Sequence, residues 1–176
     1  SCSATVTVTD LNPPLALCQD VTIYLDGSGN ASIVAADIDG GSTDNGTIAS
    51  LVASQTAFDC SDLGANNVTL TVTDDGGNTA QCTAVVTVVD NTAPVAICQN
   101  ITINLDASGN ASITAAQIDN GSSDNCPGFT LSASQTAFTC ANVGANTVTL
   151  TVTDASGNTA TCDATVTVVD NSAPSI

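Results

Sequence analysis

Strict alternation of aliphatic and hydroxyl side chains runs through this chain. In Val68-Thr69-Leu70-Thr71-Val72-Thr73 the aliphatic residues fall on one side and the threonines on the other, the period of two expected of a half-buried β-strand. Ala164, Val166 and Val168 repeat the signal against Thr165 and Thr167. The same reading predicts strands near 20–25, 31–36, 47–53, 67–73 and 82–89, separated by clusters of Gly, Asn, Asp and Ser. No segment sustains a helical period beyond a turn or so. Short strands punctuated this often predict an all-β fold, an immunoglobulin-like β-sandwich of roughly seven strands per unit.

The pattern is periodic on a longer scale as well. Residues 15–94 and 95–174 align without a gap at an offset of 80. CQDVTIYLDGSGNASI matches CQNITINLDASGNASI, ASQTAFDC matches ASQTAFTC, and VTLTVTDDGGNTAQC matches VTLTVTDASGNTATC. The chain therefore reads as tandem immunoglobulin-like β-sandwich repeats of 80 residues, the first over 15–94 and the second over 95–174. SCSATVTVTDLNPP at 1–14 matches TCDATVTVVDNSAP at the end of the second repeat. Residues 1–14 thus read as the terminal strand and linker of a preceding repeat, and 175–176 as the start of a next one. Two readings of that first strand stay open: a window on a longer array, or donation of residues 1–9 to complete a sheet in a neighbouring subunit.

Charge narrows the partners. All 17 acidic residues are Asp, and the chain has no Lys, Arg or His, for a formal net charge of −17. Phosphate-neutralising contacts are missing, which argues against a nucleic-acid partner. Anionic membrane surfaces are repelled, and no apolar run is long enough for membrane insertion. Without His or Lys no ordinary base serves a Ser or Cys nucleophile, so an enzyme is not expected. Zinc lacks both His and a CxxC pair. Sequons at Asn30, Asn67, Asn100 and Asn110 arise by chance in a composition this rich in Asn, Ser and Thr. The threonine rows read as the solvent side of strands.

The apolar side chains are small, with three Phe, one Tyr and no Trp or Met. Such a core buries little area per residue and calls for staples. Eight Cys fit that need, and half-cystines in acidic β modules place the chain in an oxidising compartment, extracellular or at the cell surface. First and last strands of such sandwiches commonly run parallel, which predicts Cys18–Cys82 and Cys98–Cys162, with Cys126–Cys140 as the third bridge. Gly46 stands where the second repeat has Cys126, so Cys60 is expected to be a free thiol and Cys2 to have its partner upstream. Cys18 is out of phase with Val21, Ile23 and Leu25, so the first strand must kink.

Five Asp positions recur in both repeats: Asp26/Asp106, Asp39/Asp119, Asp44/Asp124, Asp74/Asp154 and Asp90/Asp170. All fall in predicted turns or at a strand end. Asp and Asn are what turns need for Asx hydrogen bonds, and they are also what hard divalent cations prefer. For any one loop both readings stay open. Taken together with Asn30 and Asn91, these unneutralised carboxylates point to Ca2+ at the inter-repeat junction, because like charges brought close repel unless a cation sits between them.

The run Asp90-Asn91-Thr92-Ala93-Pro94, Cys98, the Asp124-Asn125-Cys126 turn and VTLTVTDASGNTATC resemble hyalin-repeat (HYR-like) modules. They are most similar to those of giant Bacteroidetes-type surface adhesins and gliding-motility filaments. The linker at 90–94 is also similar to the calcium-binding linker of cadherins. This resemblance implies an Ig-like fold, export, and a role in attachment or filament building, without enzymatic activity. The expected function is a structural segment of an extracellular filament or adhesin, stiffened by disulfides and calcium. Its expected partners are copies of itself in a fibre or adjacent repeats of a longer chain. The alternative is an adhesive module whose loops recognise a glycan or a protein ligand, for which Tyr24 is the one plausible exposed ring.

Overall fold

A computed structural model of the chain describes Ser3 and residues 9–171. Cys2, nearly all of the strand read in residues 1–9, and the further repeat at 175–176 lie outside the described residues. The chain divides into two compact units, one ending at Asp90 and one beginning at Asn91.

The first unit holds β1 (Val21–Tyr24), β2 (Asn30–Ser32), β3 (Ile48–Ala53), β4 (Ala57–Asp59), β5 (Gly64–Asp74) and β6 (Thr79–Val89). One sheet has the order β1-β6-β5-β3, with β1 parallel to β6, and a smaller sheet pairs β2 with β4. The second unit repeats this with β7 (Ile101–Asn104), β8 (Asn110–Ser112), β9 (Thr130–Ala133), β10 (Ala137–Thr139), β11 (Gly144–Thr153) and β12 (Thr159–Val169). Its sheets run β7-β12-β11-β9 and β10-β8. The architecture is all-β and sandwich-like in both units.

The long hairpin β5–β6 explains the alternation. Val68, Leu70 and Val72 on one strand and Ala84, Val86 and Val88 on the other are buried, in the register Val68↔Ala84 and Leu70↔Cys82. Leu25, Ile33, Ile38 and Phe58 are buried with them in the core of this unit. In the second unit Val148, Leu150, Val152, Ala164, Val166 and Val168 pack with Leu105, Ile113, Ile118 and Phe138. Burying a Val, Leu, Ile or Phe contributes about 1.5–3 kcal/mol.

Several predicted elements shift. The strand expected over 31–36 ends at Ser32, and Ala35–Ile38 forms a single helical turn that buries Ile38. Asp37 starts that turn by accepting the Val34 amide at 2.7 Å. The second unit has an equivalent turn at Ala115–Ile118. Strand β4 escaped the pattern because it has only three residues, with Phe58 alone inward. The kink at Cys18 is built by a strand switch. Leu15 and Cys18 bridge to Thr43 and Asp39, after which β1 joins β6. The Asp20 carboxylate fills the gap by accepting the Val85 amide at 2.7 Å. Asn100 does the same for Thr165.

Cys18 is bonded to Cys82 and Cys98 to Cys162, each across a sequence separation of 64. Closing a loop of that length contributes about 4 kcal/mol in the chain-entropy account. The expected Cys126–Cys140 bridge is not formed: Cys140 is an exposed free thiol, whereas Cys126 is disulfide-bonded. Within the second unit these residues sit at opposite ends. Cys126 donates its amide to Asp124 at the end where β11 finishes, and Cys140 lies against Gly109 at the end where β11 begins. A strand of that length spans roughly 30 Å, far beyond the Cα separation of about 7 Å a disulfide can bridge. Cys60, expected to be free, is likewise disulfide-bonded.

Candidate metal centre

The chemistry gathers where β5 ends and β3 begins. Strand β5 stops at Asp74, and the turn to β6 closes through Asp74 N to Asn78 O at 3.1 Å, with Gly77 at φ +86°. Asn78 donates its amide to Asp74 Oδ1 at 2.7 Å and its side chain to Oδ2 at 2.8 Å. Burial, to 2% exposure, pushes the Asp74 pKa up. The bonds from the Asn78 side chain, the Asn78 amide and the amides of Gly76 and Gly77 outweigh it, so the group stays ionised below the usual 3.8.

Asn78 also ties in the entering chain, donating to Asp10 O at 3.1 Å and Asn12 O at 3.3 Å. This brings the Asp10 carboxylate to the loop that precedes β3. Asp10 Oδ2 accepts from Asn45 Nδ2 at 3.1 Å, and Asp44 Oδ2 accepts from Gly46 N at 2.7 Å. Asp44 Oδ1 is buried and accepts no hydrogen bond. Asp10, Asp44 and Asp74 each offer a carboxylate oxygen within 4.8 Å of the others. Beside them Asp75 accepts from Thr47 Oγ1 at 2.7 Å, and a cavity of about 450 Å³ is lined by Thr9, Asp10, Gly46, Asp75 and Gly76. A Cβ on Gly76 would lie 2.7 Å from Asp10 O, so any side chain here would force the entering chain to shift.

Eighty residues on, Asp90, Asp124 and Asp154 likewise each offer a carboxylate oxygen within 4.8 Å of the others. Asp90 and Asp154 are buried, at 3% and 6% exposure. Asn158 holds Asp154 as Asn78 holds Asp74, at 2.7 and 2.8 Å. Asp124 Oδ2 accepts the Cys126 amide at 3.1 Å, while its buried Oδ1 accepts no hydrogen bond.

Two carboxylates at this spacing repel by about 4 kcal/mol per pair at an effective dielectric of about 20, and the chain has no Lys, Arg or His to offset it. Oxygen-only donors with buried lone pairs left over suit a hard cation such as Ca2+, and lack the sulfur or nitrogen that zinc favours. The residues present therefore fit the ion.

Of the carboxylates named from the sequence, Asp44, Asp74, Asp90, Asp124 and Asp154 fall in these groups. Asp26, Asp39, Asp106, Asp119 and Asp170 do not. Asp26 and Asp106 shape the turns after β1 and β7. Asp26 accepts the amides of Ser28 and Asn30 at 2.8 and 3.0 Å, Asp106 does the same for Ser108 and Asn110, and Asn30 donates its side chain to Ser28 O. Asp39 is held anionic by the Ser42 hydroxyl at 2.6 Å and then the Ser42 amide, which lower its pKa. Asp119 is lowered in the same way, first by the Ser122 side chain. Asn91 and Asp170 are exposed. Asp10 was missed, although the match of 1–14 to the end of each repeat aligns it with Asp90. The roles of Asn78 and Asn158 carried no separate signal, because each reads as an ordinary turn residue.

No protein-family model matches the chain, and no curated protein matches it. Among solved structures it is similar to protocadherin gamma B7 extracellular cadherin domains 1-4, at 14% identity and a TM-score of 0.42, covering 90% of this chain and 51% of that one. It is also similar to human protocadherin-24 EC1-2, at 14% identity and a TM-score of 0.45, covering 92% of this chain and 100% of that one. A third is an endo-fucoidan hydrolase of glycoside hydrolase family 107, at 16% identity and a TM-score of 0.33, covering 98% and 31%. The chain thus spans about half of the protocadherin gamma B7 fragment. Likenesses this low carry no functional argument; the all-β fold rests on the strands themselves.

Proposed function

We propose that this chain is a structural repeat segment of an extracellular filament or adhesin of the HYR-like kind, with Ca2+ stiffening the places where one repeat follows another. The observation that carries this reading is the pair of carboxylate trios, Asp10/Asp44/Asp74 and Asp90/Asp124/Asp154, each drawn within 4.8 Å in a chain without a cationic side chain. Both trios combine a residue just before a repeat, Asp10 or Asp90, with two from that repeat's own loops. When bound, the ion supplies the positive charge that makes this convergence favourable. The Asp carboxylates would hold it, with main-chain carbonyls and water completing the six to eight oxygens calcium takes. Disulfides support an oxidising, extracellular or cell-surface setting, and the lack of any basic side chain supports a non-enzymatic role.

In a linear array neighbours act mainly on neighbours, so junction stiffness sets fibre stiffness. Small-angle scattering with calcium and with EDTA tests the reading. Chelation is expected to change the maximum dimension and broaden the distance distribution while the β circular dichroism signal stays. An identical scattering curve in both conditions contradicts a calcium-stiffened junction.

A further inference from the structure

The loop leading into β3 carries a second kind of chemistry. Asn45 and Gly46 are both exposed, neither makes a main-chain to main-chain hydrogen bond among the described residues, and the Gly46 amide donates at 2.7 Å to the Asp44 carboxylate, a base placed to take its proton. Gly46 has no Cβ to shield its nitrogen, and Asn is among the residues that degrade most readily on ageing and heating. We propose that Asn45 is a self-modification site that turns an amide of the acidic loop into a carboxylate.

The step needs only water. The Gly46 nitrogen attacks Asn45 Cγ and forms a C–N bond, the Cγ–Nδ2 bond breaks, and ammonia leaves with the Gly46 proton. Water then opens the cyclic imide at either carbonyl, giving an aspartyl or isoaspartyl linkage. Of the two Asn-Gly pairs in the chain, the other is Asn120-Gly121, and its main chain is held. The Asn120 amide donates to Ile97 O at 2.8 Å, and Asp119 and Ser123 on either side are bridged to Cys98 and Val95. Gly121 also sits at φ +88°. Asn125, the counterpart of Asn45, is followed by Cys126, whose side chain hinders the same attack.

The product changes the loop twice. Asn45 Nδ2 now donates to Asp10 Oδ2 at 3.1 Å, and that donor is lost. A charge is gained where Asp44, Asp10 and Asp75 already crowd, their oxygens 3.2, 3.3 and 3.4 Å from a Cβ placed on Gly46. An aged loop therefore demands a cation more strongly than a fresh one; this consequence rests on the calcium reading above, whereas the modification does not.

Mass spectrometry of peptic peptides after incubation in EDTA at mildly alkaline pH tests the site. The amide-to-acid mass gain and isoaspartyl labelling are expected to accumulate several-fold faster at Asn45 than at Asn120, and to vanish at this position in Asn45→Gln. Equal rates at the two pairs, or an unmodified Asn45, overturn the proposal. The Asn45→Asp variant, which fixes one product, is expected to melt below the wild type in EDTA and to gain more from added calcium. Equal melting in EDTA overturns the charge argument. If neither protein responds to calcium while Asn45 still converts, the calcium reading fails and the modification stands.

Discussion

The two units share a core and differ at their loops. Val68, Leu70 and Val72 in the first do what Val148, Leu150 and Val152 do in the second, all fully buried. In the loops that gather the carboxylates, the offset of 80 aligns Gly46 with Cys126, Asp75 with Ala155 and Gly76 with Ser156. What survives there is the trio and the Asn that holds Asp74 or Asp154. The core repeats because one strand register requires it. The trio repeats although its carboxylates repel one another, and the calcium proposal rests on that repetition.

The largest effect should be the same in both units. Cys18→Ser in the first and Cys98→Ser in the second remove bridges of equal sequence separation, 64. Each should cost about 4 kcal/mol in denaturant unfolding. Clearly unequal costs would show that the two sandwiches are not energetically equivalent.

A smaller change separates them. Gly76→Ser installs in the first unit the residue the second already has at 156. The new Cβ meets Asp10 O at 2.7 Å and should cost about 2 kcal/mol, as overpacking does, while weakening calcium binding at the first carboxylate trio and sparing the second. A neutral Gly76→Ser would mean that Asp10 does not pass where the structure places it.

The smallest effect is acid sensitivity. Asp39 and Asp119, outside both carboxylate trios, have pKa values lowered from 3.8 in the folded chain. A depressed carboxylate contributes stability that is complete above its unfolded value and is lost as pH falls through the folded one. With calcium saturating, so that repulsion within the trios is offset, the melting temperature should therefore hold from neutral pH down to about pH 4 and fall below it. Ser42→Ala, which removes the 2.6 Å bond to Asp39, should lower it by the equivalent of about 1 kcal/mol at neutral pH and flatten the acid limb.

Much of this was legible in the sequence, for physical reasons that also mark the limits. Period-two alternation over Val68–Thr73 fixes which side chains face inward, and the offset of 80 carries that answer to the second unit. The three-residue β4 is too short to show a period, and the single turn at Ala35–Ile38 is held by one Asp37 bond that no pattern announces. Shared Asp positions pointed to the acidic loops but could not divide ligand from turn-builder. Asp26 and Asp74 both lie at turns, yet Asp26 is in neither carboxylate group and Asp74 completes one. Cys126 and Cys140 are the cysteines of the second repeat left once Cys98 and Cys162 are paired, whereas the strands between them end at opposite ends of β11.

Isothermal titration of the metal-free chain with calcium tests the central claim most directly. Two ions should bind per chain, one lost in Asp44→Ala and the other in Asp124→Ala, with the melting temperature of the wild type raised. At a free concentration a hundred times the dissociation constant, each site would add about 2.7 kcal/mol. No binding heat together with identical melting in calcium and EDTA would contradict the account.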